Sequence, residues 1–346
     1  MAELVSISVY TLLIAYTGVG NLRLWAERRL LAIPNERSSH TRPTPSGGGA
    51  AIVITTLLGL TIFAVLTNHL SPTLGFLLGG AALVAVISWL DDLYTMQSQV
   101  RLMVHGLGAV AVLVGAGALD QIHLPLVGAF RLGWVGWGVT FFWVVGLINA
   151  YNFMDGIDGL AGIQAVLAGG AWACFGYWID APLVMALGLL LAAGSLGFLG
   201  YNWPPARIFM GDVGSAFLGY SFALLTVLAA QRDARLAWIG VLVLWPFLFD
   251  TTFTLVRRWS RGENLLLAHR SHLYQRLVIA GHSHRTVTLL YGGLALLGGV
   301  AGMAWFHGVP GSATVIVLGL PTLASGLWLT VVYYEARPVN MRALMQ

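Results

Sequence analysis

The sequence predicts an all-α polytopic integral membrane protein with about eleven transmembrane helices, and three observations carry that prediction. Of its 346 residues, 58% are hydrophobic and only 9% are charged, and the mean hydropathy is +0.79, far from the balance of a soluble domain. Apolar windows of about 17 to 22 residues, the length that crosses hydrocarbon, recur along the whole chain. The connections between them are short and polar. No room remains for a separate soluble domain, so 1–346 are expected to form a single transmembrane domain.

The first span, 3–22, opens on Glu3 instead of basic residues and has no small-residue cleavage pattern behind it, so it is expected to be a retained helix and not a signal peptide. A loop from Pro34 to Gly49, with three prolines and a glycine hinge, leads into a second span at 48–68. The third, 73–90, ends in Ser88-Trp89-Leu90-Asp91-Asp92. Further spans are expected at 101–118, 134–153, 159–179, 182–201, 213–230, 236–256, 287–306 and 312–334. Cys174 lies alone in an apolar segment, which excludes a disulfide or a cysteine metal site within one chain.

All 18 basic residues are arginine. The absence of lysine removes a Schiff-base or amine nucleophile, whereas the planar guanidinium fork suits phosphate. With eleven spans the termini lie on opposite sides, and every arginine except Arg131, Arg232 and Arg235 falls on one of them. By the positive-inside rule that side is cytoplasmic, placing the N-terminus outside and the C-terminus inside. The same parity sends five polar clusters to the cytoplasmic face: 34–49, 91–100, 149–159, 202–215 and 257–285.

Each cluster places polar groups where they are costly or specialised. Asp91 and Asp92 sit at the negative end of a helix dipole, where a nearby cation or a proton-transfer duty would explain them better than solvation alone. In Asn149-Ala150-Tyr151-Asn152-Phe153-Met154-Asp155-Gly156-Ile157-Asp158-Gly159, the spacing puts Asn149 and Asn152 on one helical face. The glycines open the helix where Asp155 and Asp158 appear. Such hard oxygen ligands suggest a cation, a phosphate substrate, or both. Met210-Gly211-Asp212-Val213-Gly214-Ser215 sets a carboxylate at a helix N-terminus. Beside Asn152 it suits magnesium, which takes one or two protein oxygens plus phosphate and water. His269 and His272 are three apart and near Arg270 and Arg276, a pattern fit to bind a diphosphate or donate a proton. A zinc site is the weaker option. Arg37 and His40 exceed what a mere connector needs. For Asp250, inside the ninth span, a buried arginine partner and a direct role are equally open.

In order along the chain, Asp91-Asp92, Asn149-x-x-Asn152-x-x-Asp155-Gly156-x-Asp158-Gly159, Gly211-Asp212-x-Gly214-Ser215 and His269-x-x-His272 closely resemble the polyprenyl-phosphate N-acetylhexosamine-1-phosphate transferases, the superfamily of glycosyltransferase family 4. The resemblance runs from about Pro34 to Arg285. It implies an inner-membrane enzyme of the magnesium-dependent phosphotransferase type, with manganese able to replace magnesium. A polyprenyl phosphate, usually undecaprenyl phosphate, attacks the sugar-bound phosphate of a UDP-N-acetylhexosamine and UMP leaves, as in the initiation of O-antigen or other cell-envelope glycans.

Carried over by residue, Asp212 resembles the principal magnesium ligand and Asn152 a second. Asp91 and Asp92 resemble the acids that deprotonate or position the lipid phosphate. Asn149, Asp155 and Asp158 look like organisers of the nucleotide pocket, and His269, Arg270 and His272 like the groups holding diphosphate and sugar. Arg37, His40 and Arg276 are expected to assist in binding substrate. Homodimerisation accords with the resemblance, and no nucleic-acid partner is expected.

Two departures stand out. Thr95 replaces the charged residue that many relatives carry four places after the first aspartate. His269-Arg270-Ser271-His272 replaces the paired histidines of the translocase branch, which disfavours a muramyl-pentapeptide and leaves N-acetylglucosamine, N-acetylfucosamine and N-acetylquinovosamine open. A secondary transporter of an anionic solute is the chief rival, but it predicts charges near mid-membrane and two related halves. A lipid-binding scaffold would need the arginines but not Asp91, Asp92 and Asp212.

Overall fold

The structure, a computed structural model, describes residues 1–34, 42–264 and 269–336. Arg37 and His40 lie outside the described residues. Helices form at every expected span: α1 Ala2–Ala26, α2 Gly49–Leu66, α3 Pro72–Tyr94, α4 Ser98–Ala116, α5 Val135–Phe153, α6 Leu160–Trp178, α7 Pro182–Asn202 and α8 Asp212–Ala230. They continue with α9 Arg235–Val243, α10 Trp245–Ser260, a short α11 Leu273–Ile279, α12 His284–Phe306 and α13 Ser312–Ala336, the last including a π-helical stretch at Val315–Gly319. Among the described residues, nine helices are long and apolar enough to cross a membrane, and the bent pair α9 and α10 would make a tenth. The 19-residue α5 is long enough but is not among them, because Asn149 and Asn152 lower the apolarity of its last turns.

Two small hairpins were not foreseen. β1 Leu31–Ala32 pairs antiparallel with β2 Thr44–Pro45, so the two ends of the proline-rich loop are tied together. β3 Gln121–Leu124 pairs with β4 Gly128–Arg131 between α4 and α5, and the backbone N–H of His123 donates to the Ala234 carbonyl.

The core is built around α8, which is buried along nearly its whole length and packs against α2, α3, α5 and α9. Small residues make this close approach available, the usual solution where lipid supplies no hydrophobic drive between helices. A Cβ added at Gly214 would meet the Gly49 Cα at 2.7 Å, and one at Gly219 would meet the Ile148 Cα at 2.7 Å. This packing fixes the first turn of α8 against the ends of α3 and α5.

The ninth expected span is not one straight helix. α9 and α10 meet at 77°, because Pro246 lacks the N–H that an unbroken helix would donate to Leu242. Side chains from two neighbours hold the break: Gln164 Nε2 on α6 donates to the Val243 carbonyl at 2.9 Å, and Trp245 Nε1 donates to the Leu294 carbonyl on α12 at 2.7 Å. Both Gln164 and Trp245 are buried. Gln164→Leu should therefore lower unfolding stability in detergent by about 1–3 kcal/mol, the cost of one unsatisfied buried carbonyl. Unchanged stability would show that the carbonyl finds another donor.

Candidate active site

The site lies where the C-terminal ends of α3 and α5 meet the N-terminal ends of α4 and α8. After α3 the chain reverses through Thr95, whose φ of +50° is left-handed, and this turn folds Met96 and α4 back over Asp91. The buried Asp91 Oδ1 accepts from the Met96 backbone N–H, and its Oδ2 accepts from Arg101 Nη1 at 2.9 Å. The same Arg101 nitrogen donates to Asp212 Oδ2 at 3.2 Å. A single half-exposed guanidinium thus bridges two carboxylates from different helices, and it is the cation that the acidic pair called for.

Asp92 is engaged separately. Its Oδ1 accepts from the Asp212 N–H at 2.9 Å and its Oδ2 from the Val213 N–H at 3.1 Å, so it caps the first turn of α8 from outside that helix. Gly211 makes the approach feasible, since its φ is +78° and a Cβ there would lie 2.7 Å from Asp92 Oδ2. Asp212 itself is one-third exposed. Its Oδ1 accepts from Asn152 Nδ2 at 2.9 Å, and that amide also donates to Ser215 Oγ at 2.9 Å. Asn152 therefore turns its nitrogen to Asp212, which makes it a support for the carboxylate's orientation.

Asn149 serves a different neighbour from Asn152. Its Nδ2 donates to the Val145 carbonyl at 2.7 Å and lies 3.2 Å from Nδ1 of His105 on α4. Asp158 stitches the motif to distant segments: Oδ2 accepts from the Ala206 N–H at 3.0 Å, and Oδ1 lies 3.2 Å from His284 Nδ1. Its carbonyl accepts from Thr288 Oγ1 at 2.8 Å. Asn202 adds a second stitch, accepting from the Gly159 N–H at 2.8 Å and donating to the Ile208 carbonyl at 2.9 Å. Asp155 lies between them, half-buried. Burial raises its carboxyl well above the ordinary carboxylate range, and the charges of Asp212, Asp92 and Asp158 add to the rise. Acids crowded in this way are stabilised by a cation among them.

The histidine loop closes over the end of α5. The Tyr274 hydroxyl donates to the Phe153 carbonyl at 2.9 Å, and a Cβ at Gly156 would collide with that hydroxyl. The His272 ring lies 6.0 Å from that of Phe153 and 5.0 Å from that of His269. Burial, helped by the positive charge of Arg258, lowers His269 to about 4, so it is neutral at pH 7. Its Nδ1 meets Ser271 Oγ at 2.9 Å. Arg257 Nη2 donates to the Ser271 carbonyl at 2.5 Å. The Nε of Arg270 is buried with no partner among the described residues.

Arg276, expected to assist in binding substrate, meets the last helix: its Nε and Nη2 both donate to the Glu335 carboxylate on α13. The last helix thereby braces α11. Asp250, for which an arginine partner was one of the two options, instead meets His272, Tyr274 and Tyr291. Sequence reasoning also missed Arg101 as a site residue, counting it only toward sidedness. Its position as the sole charge opening an apolar run, ten residues after Asp91, was the available signal.

Among the described residues no three His, Cys, Asp or Glu side chains cluster as a metal cage. Asp212, one-third exposed and beside the crowded Asp155, fits a magnesium ion that takes its remaining ligands from phosphate and water. It does not fit a closed structural metal site.

The fold and the site together define a polytopic membrane protein with clustered carboxylates, two of them bridged by Arg101, at one end of its helix bundle. A model of glycosyl transferase family 4 matches residues 74–230, from α3 to the end of α8. A probable undecaprenyl-phosphate N-acetylglucosaminyl 1-phosphate transferase of Bacillus subtilis is 34% identical over 261 residues, covering 74% of this chain and 72% of the relative. A decaprenyl-phosphate N-acetylglucosaminephosphotransferase of Mycolicibacterium smegmatis is 31% identical, covering 84% of this chain and 79% of the relative. A phospho-N-acetylmuramoyl-pentapeptide-transferase of Synechococcus is 31% identical over 83% of this chain and 86% of the relative. The chain belongs to glycosyl transferase family 4.

Proposed function

We propose that the protein transfers N-acetylhexosamine-1-phosphate from a UDP-sugar to a polyprenyl phosphate at the cytoplasmic face of the plasma membrane, initiating O-antigen or another cell-envelope glycan. An oxygen of the lipid phosphate forms a bond to the sugar-bound phosphorus. The bond from that phosphorus to the bridging oxygen breaks, and UMP leaves with the electron pair. The observation that carries this reading is the Asp91–Arg101–Asp212 bridge at the first turn of α8. Phosphoryl transfer between two anions depends above all on charge neutralisation and in-line positioning. Arg101 can move its guanidinium onto phosphate oxygens without leaving the site, and the N-terminal dipole of α8 favours the same charge.

Enzymes of this type are generally dependent on a divalent metal. Asp212 would hold magnesium, or manganese in its place, with Asn152 keeping the carboxylate oriented. When bound, that ion supplies charge stabilisation to the phosphate oxygens. Asp92 sets the register of α8 against α3, and Asp91 holds Arg101. Asp155 and Asp158 shape the nucleotide side of the site, while the Nε of Arg270, without a partner among the described residues, suits the diphosphate. A lipid phosphate needs no base to become a nucleophile, so Asp91 and Asp92 act through position and charge.

The names of two relatives specify N-acetylglucosamine, which makes UDP-N-acetylglucosamine the first donor to try. The test is UMP release by purified protein with undecaprenyl phosphate, magnesium and a panel of UDP-N-acetylhexosamines. Release is expected with at least one sugar, to depend on the lipid phosphate, and to stop with EDTA. The transporter alternative would instead give no UMP with any sugar.

A further inference from the structure

We infer that Asp250 is a positioning residue that sets the tautomer and orientation of His272 in this site. The inference rests on the transfer reaction proposed above. Asp250 lies on α10, is completely buried, and receives five contacts on its two oxygens. Oδ1 faces His272 Nδ1 at 3.3 Å, the Leu273 N–H at 2.8 Å and the Thr254 hydroxyl at 3.2 Å. Oδ2 faces the Tyr274 N–H at 3.0 Å and the Tyr291 hydroxyl at 2.6 Å. The two backbone amides and two hydroxyls all donate, so the side chain serves as acceptor throughout and requires Nδ1 of His272 to carry a proton. Nε2 is then the ring nitrogen left for a substrate phosphate or its proton, the arrangement by which a buried carboxylate orients a working imidazole.

A cap for α11 alone would need only the Leu273 and Tyr274 contacts. The imidazole and the Tyr291 hydroxyl go beyond capping, and they join α10, α11 and α12 at one point. His272 is itself 2% exposed, so its ring has little freedom to choose another partner. Asp250 reaches it because α10 turns 77° from α9, and the Gln164 and Trp245 hydrogen bonds fix that turn.

The full chain, labelled with 15N-histidine in detergent at pH 8, tests this by NMR, with the His272 signals assigned by their loss in His272→Gln. The expected result is a neutral His272 protonated on Nδ1 and bare on Nε2. A ring protonated on Nε2 and bare on Nδ1 would overturn the assignment, whatever the variants do. In Asp250→Asn, which keeps the size of the side chain, the tautomer should change. There kcat should fall about 10- to 100-fold, as for other groups that orient a working imidazole, with KM for the UDP-sugar nearly unchanged. Tyr291→Phe, which removes one donor from the other oxygen, should retain the Nδ1–H tautomer. An unmoved tautomer and full kcat in a folded Asp250→Asn protein would reduce Asp250 to a helix cap. If the wild-type protein releases no UMP, the transfer reaction falls, while the tautomer still decides what Asp250 does.

Discussion

Asp212→Ala is expected to abolish UMP release, a loss beyond about 10³-fold, because it removes the one-third-exposed carboxylate proposed to hold magnesium against the phosphates. The variant also frees Asn152 Nδ2 and Arg101 Nη1, both of which donate to Asp212. Each retains one other acceptor, Ser215 Oγ for the amide and Asp91 Oδ2 for the guanidinium, so the helices should remain in place. Magnesium provides the control that separates chemistry from folding. It should raise the melting temperature of the wild-type protein by binding the native state, and leave that of Asp212→Ala unmoved. Appreciable turnover in the variant would remove Asp212 from the reaction.

Arg101→Gln is expected to lower kcat about 10²- to 10³-fold, the scale for removing one preorganised donor from developing charge. Among the described residues its Nη1 is the only side-chain nitrogen that bridges Asp91 and Asp212. Without it, Asp91 remains buried with the Met96 N–H as its remaining partner, a penalty that could itself loosen the site. The double variant Arg101→Gln with Asp91→Asn relieves that penalty and should recover thermal stability but not activity. Arg101→Lys should recover part of kcat, because one nitrogen makes both contacts in the wild-type bridge, but it cannot fork onto two phosphate oxygens. Equal stability and equal activity in all three variants would make Arg101 a topology signal only.

The spans were legible because hydrocarbon thickness writes itself into the length of apolar runs. The bend at Pro246 was not foreseen although proline marked it, since the run stays apolar on both sides of the break. The hairpins β1–β2 and β3–β4 were hidden for a different reason: two to four residues carry no usable alternation, and β3 is also supported by a contact to Ala234.

In the site, charged residues at the ends of apolar runs pointed to Asp91, Asp92, Asp155, Asp158 and Asp212, because an unpaired charge there is costly. Their division of labour was not legible. Asp92 caps a helix that begins 120 residues later, and Asp158 joins segments 48 and 126 residues away. Local spacing cannot specify such partners. It did suggest that Asn149 and Asn152 share a helical face, yet α5 is contacted by both α4 and α8, so the two amides serve different neighbours. The partner of Arg276 was hidden in the same way, since Glu335 lies 59 residues further on.

The most direct measurement follows the two phosphorus atoms of the donor. UDP-N-acetylglucosamine, or the sugar preferred in the panel, is supplied with radiophosphorus in the sugar-bound phosphate only, together with undecaprenyl phosphate, magnesium and the purified protein. Sugar-1-phosphate transfer predicts that the label moves to the lipid, as a lipid diphosphate sugar, while unlabelled UMP is released. Label recovered in free UDP, with sugar but no labelled phosphate on the lipid, would contradict phosphosugar transfer.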